Sequence, residues 1–194
     1  MKTKRKSIIS LISALVILAA LCCACSMHKS PADQVTANLE RIKSEETSAS
    51  LTNSLIKDAD LSREYEDKFK QLIMKQQDFD YEIKEEAVNK ESGTAVVTVT
   101  ITTYDLGNAY RAAYDMAISD AAEGVIDEET DVDTYVYNTM FDLLLKSDTK
   151  DYVVDVDIHC EQNELGDWET DLETNEAFHD AWSGGLNSAI AEHS

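Results

Sequence analysis

"TAVVTVTITTY", Thr94 to Tyr104, is β-branched almost throughout. Alternation along an extended chain sends Ala95, Val97, Val99 and Ile101 to one side and Thr98, Thr100 and Thr102 to the other. One apolar and one hydroxyl-bearing side is the pattern of a half-buried strand, so the run belongs in an antiparallel sheet with one face on a core and one toward water. Just upstream, Phe79, Tyr81 and Ile83 alternate with Asp80, Glu82 and Lys84, and Asn89-Lys90-Glu91-Ser92-Gly93 supplies a turn. The two runs predict an antiparallel hairpin.

Downstream the period lengthens to that of helices. From Asp105, Ala109, Ala113, Ala117 and Ala121 recur every four residues beside Tyr110 and Ile118. This is a small-residue stripe that lets another element approach closely. Thr130-Asp131-Val132-Asp133 reads as a capping box opening a second helix, with Val132, Tyr135, Val136, Met140, Leu143 and Leu144 on one face. The pair predicts a two-helix insertion folded over the sheet. Tyr152, Val154, Val156, Ile158 and Cys160 then alternate with Val153, Asp155, Asp157, His159 and Glu161; a turn at Asn163–Gly166 leads to Trp168, Thr170 and Leu172. This second hairpin brings the expected sheet to about four strands. In the tail, Phe178, Ala181 and Trp182 form an apolar patch before Gly184-Gly185 interrupts any helix.

Two helices precede the first strand. Ser30-Pro31-Ala32-Asp33 is a capping box with proline at the first helical position, and Val35, Leu39 and Ile42 follow at helical spacing. Leu51, Leu55 and Ile56 continue the apolar contacts through a Ser/Thr/Asn-rich stretch. Ser62 then caps a helix on which Tyr65, Phe69, Leu72, Ile73 and Gln76 share a face. The order of elements predicts a single α+β domain over 31–194, helices packed on a curved antiparallel sheet.

Before that domain, Met1-Lys2-Thr3-Lys4-Arg5-Lys6 and the apolar run Ser7–Leu21 have the layout of a secretory signal peptide. The apolar run is short for a permanent span, which needs roughly 20 apolar residues. The segment 21–25, Leu-Cys-Cys-Ala-Cys, resembles the lipobox of bacterial lipoproteins, with Ala24 before the cysteine. That resemblance implies cleavage after residue 24 and a diacylglycerol on Cys25; Cys22, Cys23 and plain secretion are the alternatives. Residues 25–30 would then be the lipidated cysteine and a short tether. Cys160 would be the one thiol left in the domain, too few for an internal disulfide or a four-cysteine metal site.

The chain has 194 residues with 17 Lys+Arg against 38 Asp+Glu, a formal net charge of −21. Loss of Lys2, Lys4, Arg5 and Lys6 with the leader makes the balance more negative. Nucleic acid is excluded as a partner because phosphate binding rests on basic patches, and anionic headgroups repel such a surface. The expected membrane partner is the bilayer itself, reached through the Cys25 lipid. Cations and cationic proteins are the attracted classes.

The lipobox, two helices, a hairpin ending "VTVTITTYDL", a helical insertion and a second hairpin ending "LGDWETDLETNEAFHDAWSGGL" resemble lipoprotein domains of unknown function common in Clostridia-like Firmicutes. Those are similar in layout to cystatin-like and nuclear-transport-factor-2-like folds, in which helices pack into a curved sheet. The resemblance implies an extracytoplasmic protein of a Gram-positive cell envelope and carries over no catalytic residue.

The expected role is therefore a non-catalytic module binding a small ligand or an envelope protein in an apolar concave surface. Tyr81, Tyr104, Asp155, Asp157 and His159 are the candidate binding residues. An isomerase- or hydrolase-like enzyme is the alternative, because Asp155, Asp157 and His159 share a strand side and such isomerases use an Asp base in an apolar pocket. No cofactor is expected from motif spacing. Asp127, Glu128, Glu129, Asp131 and Asp133 supply oxygen donors suited to calcium without EF-hand spacing, and a calcium-dependent surface module is the third class. An acidic loop opening a helix accounts for the same residues through the helix dipole.

Overall fold

A computed structural model describes residues 29–44, 63–127 and 129–193. Among them are six helices and one four-strand antiparallel sheet, not closed: α1 Pro31–Lys43, α2 Arg63–Gln77, β1 Asp80–Asn89, β2 Thr94–Thr103, α3 Leu106–Ala122, α4 Val132–Lys146, β3 Tyr152–Gln162, β4 Trp168–Thr170, α5 Glu176–Trp182 and α6 Leu186–Glu192. The expected α+β class and strand count hold, and the sheet is a simple meander in the order β1-β2-β3-β4.

β2 sits in the middle as its alternation requires. Ala95, Val97, Val99 and Ile101 are buried, and the register sets Val97 against Ile158 and Val99 against Val156, which extends the apolar face onto β3. The opposite side is the hydroxyl row of Thr98, Thr100 and Thr102. β1 matches it only as far as Ile83, which pairs with Val99; an irregularity at Lys84 then shifts the register so that Glu85 faces Thr98 and Glu86 faces Val97. The bulge turns Glu86 to the helix-bearing side, where its Oε2 accepts the Ala32 amide at 2.9 Å. A carboxylate of β1 thus satisfies one of the orphan donors at the start of α1 and complements its dipole.

The start of α1 forms as its sequence predicts. Ser30 Oγ accepts the Asp33 amide and Asp33 Oδ2 accepts the Ser30 amide, both at 3.1 Å. Val35, Leu39 and Ile42 are buried, and Asn38 Nδ2 donates to Thr170 Oγ1 at 2.9 Å, so α1 crosses the apolar face from β1 to β4. α5 covers the rest of that face, with Phe178 and Trp182 buried and Trp182 Nε1 donating to the Gln76 carbonyl of α2 at 3.1 Å.

The two-helix insertion sits elsewhere than expected. α3 and α4 form the predicted hairpin, but it packs chiefly on α2 and α6 and not over the sheet. The reason is local: α3 starts at the end of β2, where the Gly107 amide donates to the Gly184 carbonyl at 2.8 Å and fixes the helix to the α5–α6 joint. A Cβ on Gly107 would lie 2.6 Å from the Gly185 oxygen, and Gly184 and Gly185 have φ of 60° and 75°. The glycine pair ends α5, as predicted, and also permits this backbone crossing. Ala113 and Ala117 of the alanine stripe are buried, and Tyr110 meets Tyr137 and His193 with ring centroids 6.1 and 5.9 Å apart. Asp131, not Thr130, caps α4 by accepting the Thr134 amide. β4 is shorter than its alternation suggests: the chain leaves the sheet at Asp171, before Leu172.

Candidate functional site

The side of the sheet away from α1 and α5 carries the acidic residues singled out in β3. Because β2 and β3 pair Thr98 with Asp157 and Thr100 with Asp155, each carboxylate faces a hydroxyl across the strand gap. Thr98 Oγ1 donates to Asp157 Oδ1 at 2.6 Å, and Thr100 Oγ1 donates to Asp155 Oδ1. On β1, Glu82 pairs with Lys84 at 2.6 Å, and Glu85 lies opposite Thr98. Asp155 and Asp157 are two residues apart, about 7 Å along a strand, and each is held by its own threonine. The arrangement is an array of acceptors suited to meeting several cationic donors at once.

At the β3–β4 end this side opens into a cleft of about 520 Å³, lined by Thr94, Val96, His159, Glu161, Glu169 and Asp171 among others. Glu161 and Glu169 face each other across the strands. Asp171 builds the corner: its Oδ1 accepts the His159 amide at 3.0 Å, its amide donates to the His159 carbonyl at 3.0 Å, and its Oδ2 accepts Asn175 Nδ2 at 3.1 Å. Asn175 Nδ2 also donates to the Asp157 carbonyl at 2.9 Å. The sheet therefore ends in a fixed turn, with Asp171 bonded to the His159 backbone.

Tyr81 and Tyr104 are not part of this surface. Tyr81 lies on the helix side, where its hydroxyl donates to Glu40 Oε1 at 2.6 Å; burial first and then Glu40 push its pKa up to about 12. Tyr104, past the end of β2, donates to Asp78 Oδ2 at 3.0 Å under Lys75 Nζ, which sits 4.0 Å from the ring centroid. Burial and then Asp78 raise its pKa. Lys150 bridges Asp78 at 2.8 Å and Asp80 at 3.0 Å, and its hydrogen bond is the first cause of the lowered Asp78 pKa. Asp155, Asp157 and His159 thus share the uncovered side of β3, while the two tyrosines make separate contacts, Tyr81 with α1 and Tyr104 with the joint between α2 and β1.

The space between sheet and helices is filled by Leu39, Phe79, Ile101, Ile158 and Phe178, all buried. The cleft described here opens instead on the uncovered, polar side. Cys160 belongs to the filled side, opposite Ala95, and burial pushes its thiol up to about 11.

In the acidic loop, Asp127 Oδ1 accepts the Glu129 amide at 3.1 Å and the Thr130 hydroxyl at 2.9 Å, and the Thr130 hydrogen bond lowers its pKa. Asp131 is spent on the α4 cap, and Asp133 lies in the first turn of that helix. Among the described residues no three or more His, Cys, Asp or Glu are grouped so as to hold a metal ion. Glu128 and Cys25 lie outside the described residues, as do Ser62, Leu51, Leu55 and Ile56. No described helix is long and apolar enough to cross a membrane. Compared with protein-family models, curated proteins and solved structures, the chain matches none.

Proposed function

We propose that this chain is an extracytoplasmic lipoprotein, anchored through a diacylglycerol on Cys25, that works without catalysis by presenting its uncovered sheet face to a cationic envelope protein. The observation that carries the reading is the composition of that face. Glu82, Glu85, Asp155, Asp157, Glu161 and Glu169 project from it over a floor of threonines, and Lys84 is already paired with Glu82. A field of one sign over an open surface speeds encounter with oppositely charged partners and selects against anionic ones. The filled space under α1 and α5 supports the non-catalytic reading, because isomerase-like chemistry needs a carboxylate in an apolar pocket there. The finer fold assignment, a cystatin-like or nuclear-transport-factor-2-like cone, belongs with this proposal and is supported by α1 crossing one face of an antiparallel meander.

The test is binding of an acetylated decalysine peptide at physiological salt to two triple variants of equal charge change. Glu85→Gln/Glu161→Gln/Glu169→Gln neutralises the face; Asp115→Asn/Glu123→Gln/Glu129→Gln neutralises exposed positions around α3. Several-fold weaker binding by the first and a near-native response by the second is expected. Equal losses would reduce the interaction to whole-molecule charge and remove the face as a site.

A further inference from the structure

Resting on the Cys25 anchor, we infer that the domain stands on its turn end: the β1–β2 and β3–β4 turns meet the lipid surface, and the opposite end of the sheet is held away from it. Three observations place that end. The two turns lie side by side, since the Gln162 amide donates to the Gly93 carbonyl at 2.9 Å. The start of α1 is fixed near them, because Ala32 is bonded to Glu86, three residues before the end of β1. Leu165, at the tip of the β3–β4 turn, is 84% exposed, a large apolar side chain offered to solvent where a bilayer interface would take it up.

The length of the tether then decides the orientation. Five residue steps separate Cys25 from Ser30, and a chain spans at most about 3.6 Å per residue, so the Ser30 Cα stays within about 18 Å of the Cys25 Cα. From Glu86 to the turn tips is about 10 Å of strand, well within that reach. From Glu86 to Asp80 is about 20 Å, and the loop at Asp148 lies beyond the same end of the sheet, so the molecule cannot stand on that end without overstretching its tether. Glu91, Glu164 and Asp167 near the turns make the contact one of tether and leucine, not of attraction to anionic headgroups. Upright on its turns, the molecule leaves the Thr–Asp face vertical and accessible.

The experiment uses the full lipidated protein in phosphatidylcholine vesicles doped with a nickel-chelating lipid. Nitroxides are placed by Glu164→Cys, which keeps Leu165, or Asp148→Cys, each with Cys160→Ala. Relaxation of the residue 164 label by the surface nickel should exceed that at residue 148 several-fold. Hydrogen exchange of the unsubstituted protein on the same vesicles should slow at 163–167 relative to the released Cys25→Ser form, with no change at 147–151. A lipidated chain whose two labels relax alike, or whose residue 148 label relaxes more, overturns the orientation and leaves the anchor standing. An intact mass without diacylglycerol, together with free partition into the aqueous phase, overturns both.

Discussion

Substituting Gly184 by alanine should be the most damaging single-methyl change in this fold. Its φ of 60° alone costs a residue with a Cβ about 1–2 kcal/mol. The added carbon would also clash with the Tyr104 carbonyl oxygen, far inside van der Waals contact, and lie 2.9 Å from the Leu106 nitrogen, both backbone atoms that no rotamer change can clear. Relief requires moving the α5–α6 joint away from α3, which breaks the bond from the Gly107 amide to the Gly184 carbonyl; a buried amide left without a partner costs about 1–3 kcal/mol. The terms sum to about 2–5 kcal/mol, a large part of the 5–15 kcal/mol that holds a domain together. Gly124 is the internal control: its φ is 73° but nothing lies within 4 Å of a built Cβ. Gly124→Ala should therefore show the conformational cost alone, partly offset by lower unfolded-state entropy, and come out near 1 kcal/mol. Urea melts of the two variants, compared at constant m-value, measure the difference. If both lose the same stability within about 0.5 kcal/mol, the backbone crossing is no constraint and the placement of the α3–α4 hairpin needs another cause.

Further outcomes follow from burial and charge. His179 is buried with Nε2–H donating to the Leu172 carbonyl at 2.9 Å, and burial lowers its pKa below the ordinary 6.5. The unfolded chain therefore binds the proton first, and stability from this group falls as pH drops below about 6.5. Melting at pH 7.5 and 5.5 should show that loss in the native protein and less of it in His179→Gln; equal pH responses would refute it. Cys160, with its thiol pushed up to about 11, should resist iodoacetamide at pH 8 in the folded protein and react on unfolding, whereas fast native labelling would contradict its burial. Glu161→Lys replaces a like-charge pair with an opposite one facing Glu169 and keeps the Asn163–Glu169 bond, so thermal stability should rise, by up to about 1 kcal/mol, while decalysine binding weakens. A fall in melting temperature would show that the two carboxylates do not interact.

The sheet was legible because β2 and β3 obey a period of two over eight or more residues, which no helix tolerates. Capping at Ser30 was equally plain, since a capping box is closed within four residues. What escaped the sequence is what depends on distant partners. Lys84-Glu85-Glu86 breaks the alternation of β1, and that break was the signal for the bulge, but only α1 explains why Glu86 turns inward. Asp171 continues the alternation of Trp168 and Thr170 in letters, yet it leaves the sheet because its carboxylate bonds back to His159. The α3–α4 hairpin was recognised and misplaced, since two amphipathic faces say that cover is needed and not which element supplies it. Tyr81 shares an alternation pattern with the core and Tyr104 continues the phase of the threonine row, and nothing local shows that Glu40 and Asp78 take their hydroxyls.

The two acidic strand pairs on the uncovered side are built differently. Between β2 and β3, Asp157 and Asp155 each accept a threonine hydroxyl, an arrangement that stabilises the isolated fold. Between β3 and β4, Glu161 faces Glu169; Glu169 Oε1 accepts Asn163 Nδ2 at 3.1 Å, and the cleft lining holds no Lys or Arg. The turn makes use of Glu169, but a like charge set directly opposite it costs stability that a threonine at 161 would not. A partner that brings lysine or arginine to this corner gives a reason for the pair: it gains the attraction and relieves the repulsion together. Under the proposed function, the like-charged Glu161–Glu169 pair is therefore the expected energetic centre of the interface, rather than the Thr98–Asp157 and Thr100–Asp155 rungs.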